Sequence, residues 1–109
     1  MYGPFPLTMV SIHVDPSSAG VYVLGRSSSS WDYVGRSDSD LASRISKSSG
    51  EGSGYRYFWF EYASSPMRAY YRECVLYHKY NFPDNDIHPA VPAGSSWRCP
   101  VPECEWSKP

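Results

Sequence analysis

The chain has 109 residues, with ten Lys or Arg against eleven Asp or Glu and a net charge of −1 at pH 7. That length suits one domain. A hydrophobic content of 41% with 17% aromatics excludes a disordered chain, which would be poor in aromatics and strongly charged. The near-zero charge excludes a broad basic surface that grips nucleic acid unaided, so any hold on phosphate must be local or shared with a partner.

In chain order, residues 1–19 place Gly3, Pro4, Pro6 and Pro16 around an apolar stretch over 7–14, which predicts a loop able to hold an edge strand. The start has neither a basic n-region nor a continuous apolar h-region, so no secretory signal is expected. No apolar run approaches the roughly 20 residues that span a bilayer. Residues 20–24 (Gly-Val-Tyr-Val-Leu) predict a strand, 25–30 a Ser-rich turn and 31–35 (Trp-Asp-Tyr-Val-Gly) a second strand, together a hairpin.

Ser37 or Ser39 is placed to cap a helix over about 40–48, with Asp40 in its first turn, where negative charge is favoured. A flexible Ser/Gly connector follows over 48–54. Residues 55–62 predict a third strand, with Tyr55, Tyr57 and Trp59 on one face and Arg56, Phe58 and Phe60 on the other. Ser64 or Ser65 then caps a longer helix to about Tyr80, with Pro66 in its first turn. Its expected inward stripe is Met67, Tyr71, Cys74, Val75 and His78.

From Asn81 onward Pro83, Pro89, Pro92, Pro100 and Pro102 leave an irregular tail. The expected fold is therefore α+β, a small three-stranded antiparallel sheet flanked by helices with an irregular Pro-rich C-terminal tail. One domain covers 1–109, with its core over about 18–85 and the tail over 86–109.

Chemistry enters through four residues on these elements. Tyr22 and Tyr33 on neighbouring strands can present two phenols on one sheet face, although two such tyrosines also serve as an ordinary cross-strand pair. Arg44, on the first predicted helix, carries a guanidinium that can clamp a phosphate and stabilise its charge. Glu73 sits among Ala69, Tyr70, Leu76 and Tyr77 at helical spacing, where a carboxylate is unusual unless paired or bound to metal. A hard oxygen ligand of this kind suits Mg²⁺, which takes one or two carboxylates and keeps its waters.

In this order and spacing, the set resembles the GIY-YIG nuclease family over about residues 18–85. Gly20-Val21-Tyr22 is similar to its first motif and Tyr33-Val34-Gly35 to its second, with Val for Ile in each. Arg44 stands where the family has its helix arginine, and Glu73 where it has its metal-binding glutamate. The family's closing asparagine corresponds to Asn85, with Asn81 the alternative.

The resemblance implies a metal-dependent endonuclease that hydrolyses DNA with one Mg²⁺ or Mn²⁺ held by Glu73. In that mechanism Tyr22, helped by Tyr33, takes the proton of the attacking water, while Arg44 stabilises the phosphorane. Arg36, Lys47, Arg68 and Arg72 are the cations expected to contact nucleic acid. A partner protein or a second copy would supply specificity. The chain departs from the pattern at Ser48, where many members carry His or Tyr one turn after the arginine; Lys47 or a third-strand aromatic is left to stand in. The rival expectation is a weak or inactive nucleic-acid-binding or scaffold module of the same fold.

The tail carries a second candidate. Cys99 and Cys104, with four residues between them, fall within the looser range of zinc-ligand spacing. Cys74 and His78 lie one helical turn apart, and His88 is near in sequence, so a Cys/His zinc site would stitch the tail to the last helix. An odd cysteine count of three argues against a disulfide scaffold, and hence for a reducing, intracellular (cytoplasmic) setting.

Overall fold

The computed structural model of the chain describes residues 1–48, 50 and 52–108. Strands β1 (Tyr2–Pro6), β2 (Gly20–Gly25), β3 (Tyr33–Ser37) and β4 (Tyr57–Tyr62) form one antiparallel sheet in the order β1-β4-β2-β3. Among the described residues three helices accompany it, α1 (Val10–His13), α2 (Leu41–Ser48) and α3 (Pro66–Lys79). The class is α+β, but the sheet has four strands rather than three.

The additional strand is β1, built from residues whose prolines read as loop. Pro has no N–H to give a ladder, and an edge strand tolerates that loss. Accordingly β1 pairs with β4 alone, through Tyr2↔Phe60, Phe5↔Phe58 and Pro6↔Tyr57. The edge strand that residues 1–19 were expected to hold is thus Tyr2–Pro6, and the apolar stretch over 7–14 is a 3-10 turn at Leu7–Met9 followed by α1. It closes over the sheet by burying Val10 and Val14.

β2 lies at the centre, and all six of its residues are buried. Strand alternation splits its side chains between two cores. Tyr22 and Leu24 pack with Phe58, Phe60, Val10, Val14 and the α2 residues Leu41 and Ile45. Val21 and Val23 pack on the other face with Val34, Trp59, Phe82 and Leu76 of α3. The expected division of the aromatic strand holds for Phe58 and Phe60 against Tyr57 and Trp59. Tyr55 departs from it, packing on the α2 side because the strand begins only at Tyr57.

Asp40 itself caps α2: its Oδ1 accepts the Ser43 N–H at 3.1 Å, while Ser37 Oγ accepts the Asp40 N–H at 2.9 Å. Of the connector over 48–54, positions 49 and 51 lie outside the described residues. Ser65 caps α3, its hydroxyl accepting the Arg68 N–H at 3.2 Å, with Pro66 as the first helical residue.

The buried stripe of α3 is not the one expected. Ala69, Tyr70, Glu73, Cys74 and Leu76 are buried, whereas Met67, Tyr71 and Val75 are half-buried and His78 is exposed. The helix is covered on two sides, which widens and rotates its apolar arc. Leu76 meets the sheet, while Tyr70 and Cys74 meet Trp97, Cys99 and Val101 of the tail. Beyond α3 the chain is irregular, apart from a 3-10 turn at Glu105–Ser107 among the described residues. No helix among the described residues is long and apolar enough to cross a membrane.

Candidate functional site

The β2–β3 register sets Tyr22 opposite Gly35 and Leu24 opposite Tyr33, so the two tyrosines share the α2 face of the sheet. Their ring centroids are 6.3 Å apart. The Tyr22 hydroxyl passes over Gly35, where a Cβ would lie 2.5 Å from it, and meets Ser48 Oγ at the end of α2 at 2.6 Å. Ser48 is thus the residue that reaches the phenol, and neither Lys47 nor a third-strand aromatic is needed for that contact. Burial pushes Tyr22 up to about 12, against the downward pull of the Ser48 hydrogen bond and of the Arg44 charge. Burial also raises Tyr33, and the Glu73 charge adds to the rise.

Arg36 and Glu73 lie on the opposite face. Arg36 is in register with Val21, and its side chain points toward α3. Its Nη1 donates to Glu73 Oε1 at 2.7 Å, and its Nη2 donates to the Ala90 carbonyl at 2.8 Å. The guanidinium also lies 5.2 Å over the Tyr70 ring. Burial raises the proton affinity of Glu73, and the Arg36 hydrogen bond and charge oppose that rise.

Asn85 closes the edge of β3. Its Oδ1 accepts the Val34 N–H at 2.8 Å, and its Nδ2 donates to the Val34 carbonyl at 3.0 Å, as a neighbouring strand would. Just beforehand, the Asp84 N–H donates to the Asp32 carbonyl at 2.9 Å.

A cleft of about 790 Å³ wraps the β3 edge beyond this bracket, lined by Tyr22, Tyr33, Gly35, Arg36, Arg44 and Glu73, with residues 84–90 as its outer wall. The five expected catalytic positions, Tyr22, Tyr33, Arg44, Glu73 and Asn85, therefore line one space. Asn81 is exposed and does not line it. Of the expected nucleic-acid contacts only Arg36 lines the cleft, and it is engaged with Glu73. Lys47 is exposed on α2, while Arg68 and Arg72 line a separate groove with Tyr71, where Arg72 pairs with Glu61.

Chemically the cleft offers the guanidiniums of Arg36 and Arg44, the phenols of Tyr22 and Tyr33, and the carboxylates of Asp38, Glu73, Asp84 and Asp86. Sequence reasoning missed the Arg36–Glu73 pair, which joins positions 37 residues apart. It also missed the wall over 84–90. Alternation along β3 held a signal for Arg36, because Val34 and Arg36 share the α3 face.

A second cluster lies at the C-terminal end of α3. One ligand atom from each of His78, His88, Cys99 and Cys104 lies within 4.8 Å of the others, so the group could hold a metal ion such as zinc. Cys74, the fifth zinc candidate, stands outside it. Cys74 is fully buried against Tyr70 and Cys99, and burial pushes its thiol up to about 12. No family model, curated protein or solved structure matches the chain.

Proposed function

We propose that the chain is a metal-dependent endonuclease of the GIY-YIG type that hydrolyses DNA phosphodiester bonds. One observation carries the reading: Tyr22, Tyr33, Arg44, Glu73 and Asn85, from β2, β3, α2, α3 and the segment after it, line the same cleft. The order of strands and helices between the two tyrosine motifs and Glu73 is consistent with it.

The reading implies Mg²⁺ or Mn²⁺, and the donor chemistry fits an ion held mainly by water and substrate phosphate. Glu73 is a buried carboxylate on the cleft, and Mg²⁺ commonly takes one or two such ligands. When bound, the ion would supply Lewis-acid stabilisation of the leaving oxygen. The remaining chemistry belongs to the chain. Glu73 must release Oε1 from Arg36, whose guanidinium then becomes available to the incoming phosphate. Arg44, exposed at the rim, stabilises charge growing on the phosphoryl oxygens. Tyr22 first gives its own proton to solvent in the cleft, and the phenolate then takes the proton of the attacking water. Arg44 is the neighbour whose positive charge favours that phenolate. Because the net charge is −1, a partner protein or second copy delivers the DNA.

A second reading has its own support. Arg36 already occupies a Glu73 oxygen, and Tyr22 is a firmly protonated phenol, the resting state of a weak enzyme or a binding module. Plasmid and branched DNA offered to purified protein, with Mg²⁺ or Mn²⁺ added or omitted, separate the two. Glu73→Gln keeps the shape of the side chain and should lower metal-dependent cutting by about 10²-fold or more while the folded spectrum persists. DNA retention without cutting by well-folded wild-type protein would select the binding module.

A further inference from the structure

We propose that His78, His88, Cys99 and Cys104 bind one structural zinc ion, and that this ion fixes the 84–90 wall of the cleft. The proposal stands whether or not the cleft cuts nucleic acid. His78 Nε2 and His88 Nε2 are 3.2 Å apart, and Cys104 Sγ is 3.5 Å from His88 Nε2. Tetrahedral zinc with bonds of about 2.0–2.1 Å to nitrogen and about 2.3 Å to sulfur sets N–N and N–S edges of about 3.3 and 3.6 Å. The two separations match those edges. A neutral His88 Nε2 has one in-plane lone pair, yet two neighbours converge on it. A cation at their common centre accounts for both approaches.

The surroundings prepare the ligands. His88 Nδ1 lies 2.9 Å from the Pro89 carbonyl, and donating there leaves the Nε2 lone pair to face the cluster. The Trp106 ring stacks on His88 with centroids 5.1 Å apart and planes within 6°, and Tyr77 meets His88 edge-on. Between the cysteines the chain turns tightly: the Cys104 N–H donates to the Val101 carbonyl, and Glu103 takes a φ of 67°. The Cys99 N–H donates to the Trp106 carbonyl at 3.0 Å. Both cysteines are free of disulfide bonds. Two thiolates and two imidazoles form a closed set that selects zinc and leaves no position for substrate, which marks a structural rather than a catalytic ion.

The four ligands come from three pieces of chain: the last turn of α3, the cleft wall, and the Cys99–Cys104 turn. His88 itself lines the cleft. Two residues on, the Ala90 carbonyl accepts from Arg36, the residue that holds Glu73. The ion therefore anchors the wall on which that ion pair leans.

Protein purified under reducing conditions should contain about one equivalent of zinc. Exchange for Co²⁺ should give the intense visible bands of a tetrahedral, thiolate-bound ion. Cys99→Ser and Cys104→Ser should each weaken or abolish those bands. Should those variants fail to fold, wild-type protein stripped with a chelator and reloaded provides the same readout. Folded wild-type protein that takes up neither metal, or that forms a Cys99–Cys104 disulfide under reducing conditions, would overturn the site. For the wall, amide exchange over 84–90 should slow on loading while β2 stays unchanged. Metal uptake without that protection would overturn the anchoring role.

Discussion

Gly35 faces Tyr22 across the β2–β3 ladder, and the absence of a side chain there gives the phenol its path to Ser48. A Cβ at this position would lie 2.5 Å from both Cζ and the hydroxyl of Tyr22. The ring is fully buried and has little room to yield. Gly35→Ala should therefore cost about 1–3 kcal/mol by overpacking, read as a lower midpoint in chemical denaturation. An unchanged midpoint would show that the phenol is not seated over Gly35. At this scale the cleft residues with a motif were legible: a glycine and a tyrosine at strand spacing carry their own geometry. Arg36 was legible only as a cation expected to contact nucleic acid, and its pairing with Glu73 was not, because the two positions lie on different elements. Glu73 was legible as an anomaly, a carboxylate in apolar company, but its partner lies on another element.

At the scale of elements, β3 is an edge strand whose backbone would stand open without the tail. Asn85 covers it with a donor and an acceptor matched to Val34. Arg26 and Tyr55 bind Asp84 and hold the same segment down from the hairpin side. Asn85→Leu should remove both Val34 bonds at a cost of about 1–3 kcal/mol. It should also speed exchange of the Val34 amide, while the amides at the centre of β2 keep their protection. A Val34 amide that exchanges at the wild-type rate would show that the bracket does not protect the edge. The sequence marks Asn85 only by its place after α3, since side-chain mimicry of a strand has no local pattern. The same blindness to context left β1 legible only as a loop able to hold an edge strand, although its prolines are harmless at an edge. It also misphased α3, because a single periodic stripe cannot anticipate a helix covered by both sheet and tail. The two hairpin strands, β4 and the two longer helices were legible, because each combines a periodic pattern with capping or turn residues.

Across the whole molecule, the small core relies on tyrosines whose hydroxyls are carried inside, and this makes stability sensitive to alkali. Burial pushes Tyr22 up to about 12 from its ordinary 10.0. Burial first, then the hydrogen bond to Asp84, raises Tyr55 as well. In both cases the fold favours the protonated phenol, whereas the unfolded chain ionises near pH 10. The folded state therefore binds more protons than the unfolded state once pH exceeds about 10, and stability must fall there. The contribution is complete below about pH 10 and is lost as pH climbs through about 12. For Tyr22 alone it amounts to something on the order of 2–3 kcal/mol. Denaturation midpoints taken between pH 8 and pH 11 should decline, and Tyr22→Phe should flatten part of that decline. An absorbance titration of the ten tyrosines should show a late-ionising group that disappears on unfolding. A single transition near pH 10 for all of them, with midpoints independent of pH, would mean that the phenols are not sealed in the core. The cleft would then present Tyr22 as an ordinary phenol that ionises near pH 10, with Arg44 still needed to draw its ionisation toward neutral pH.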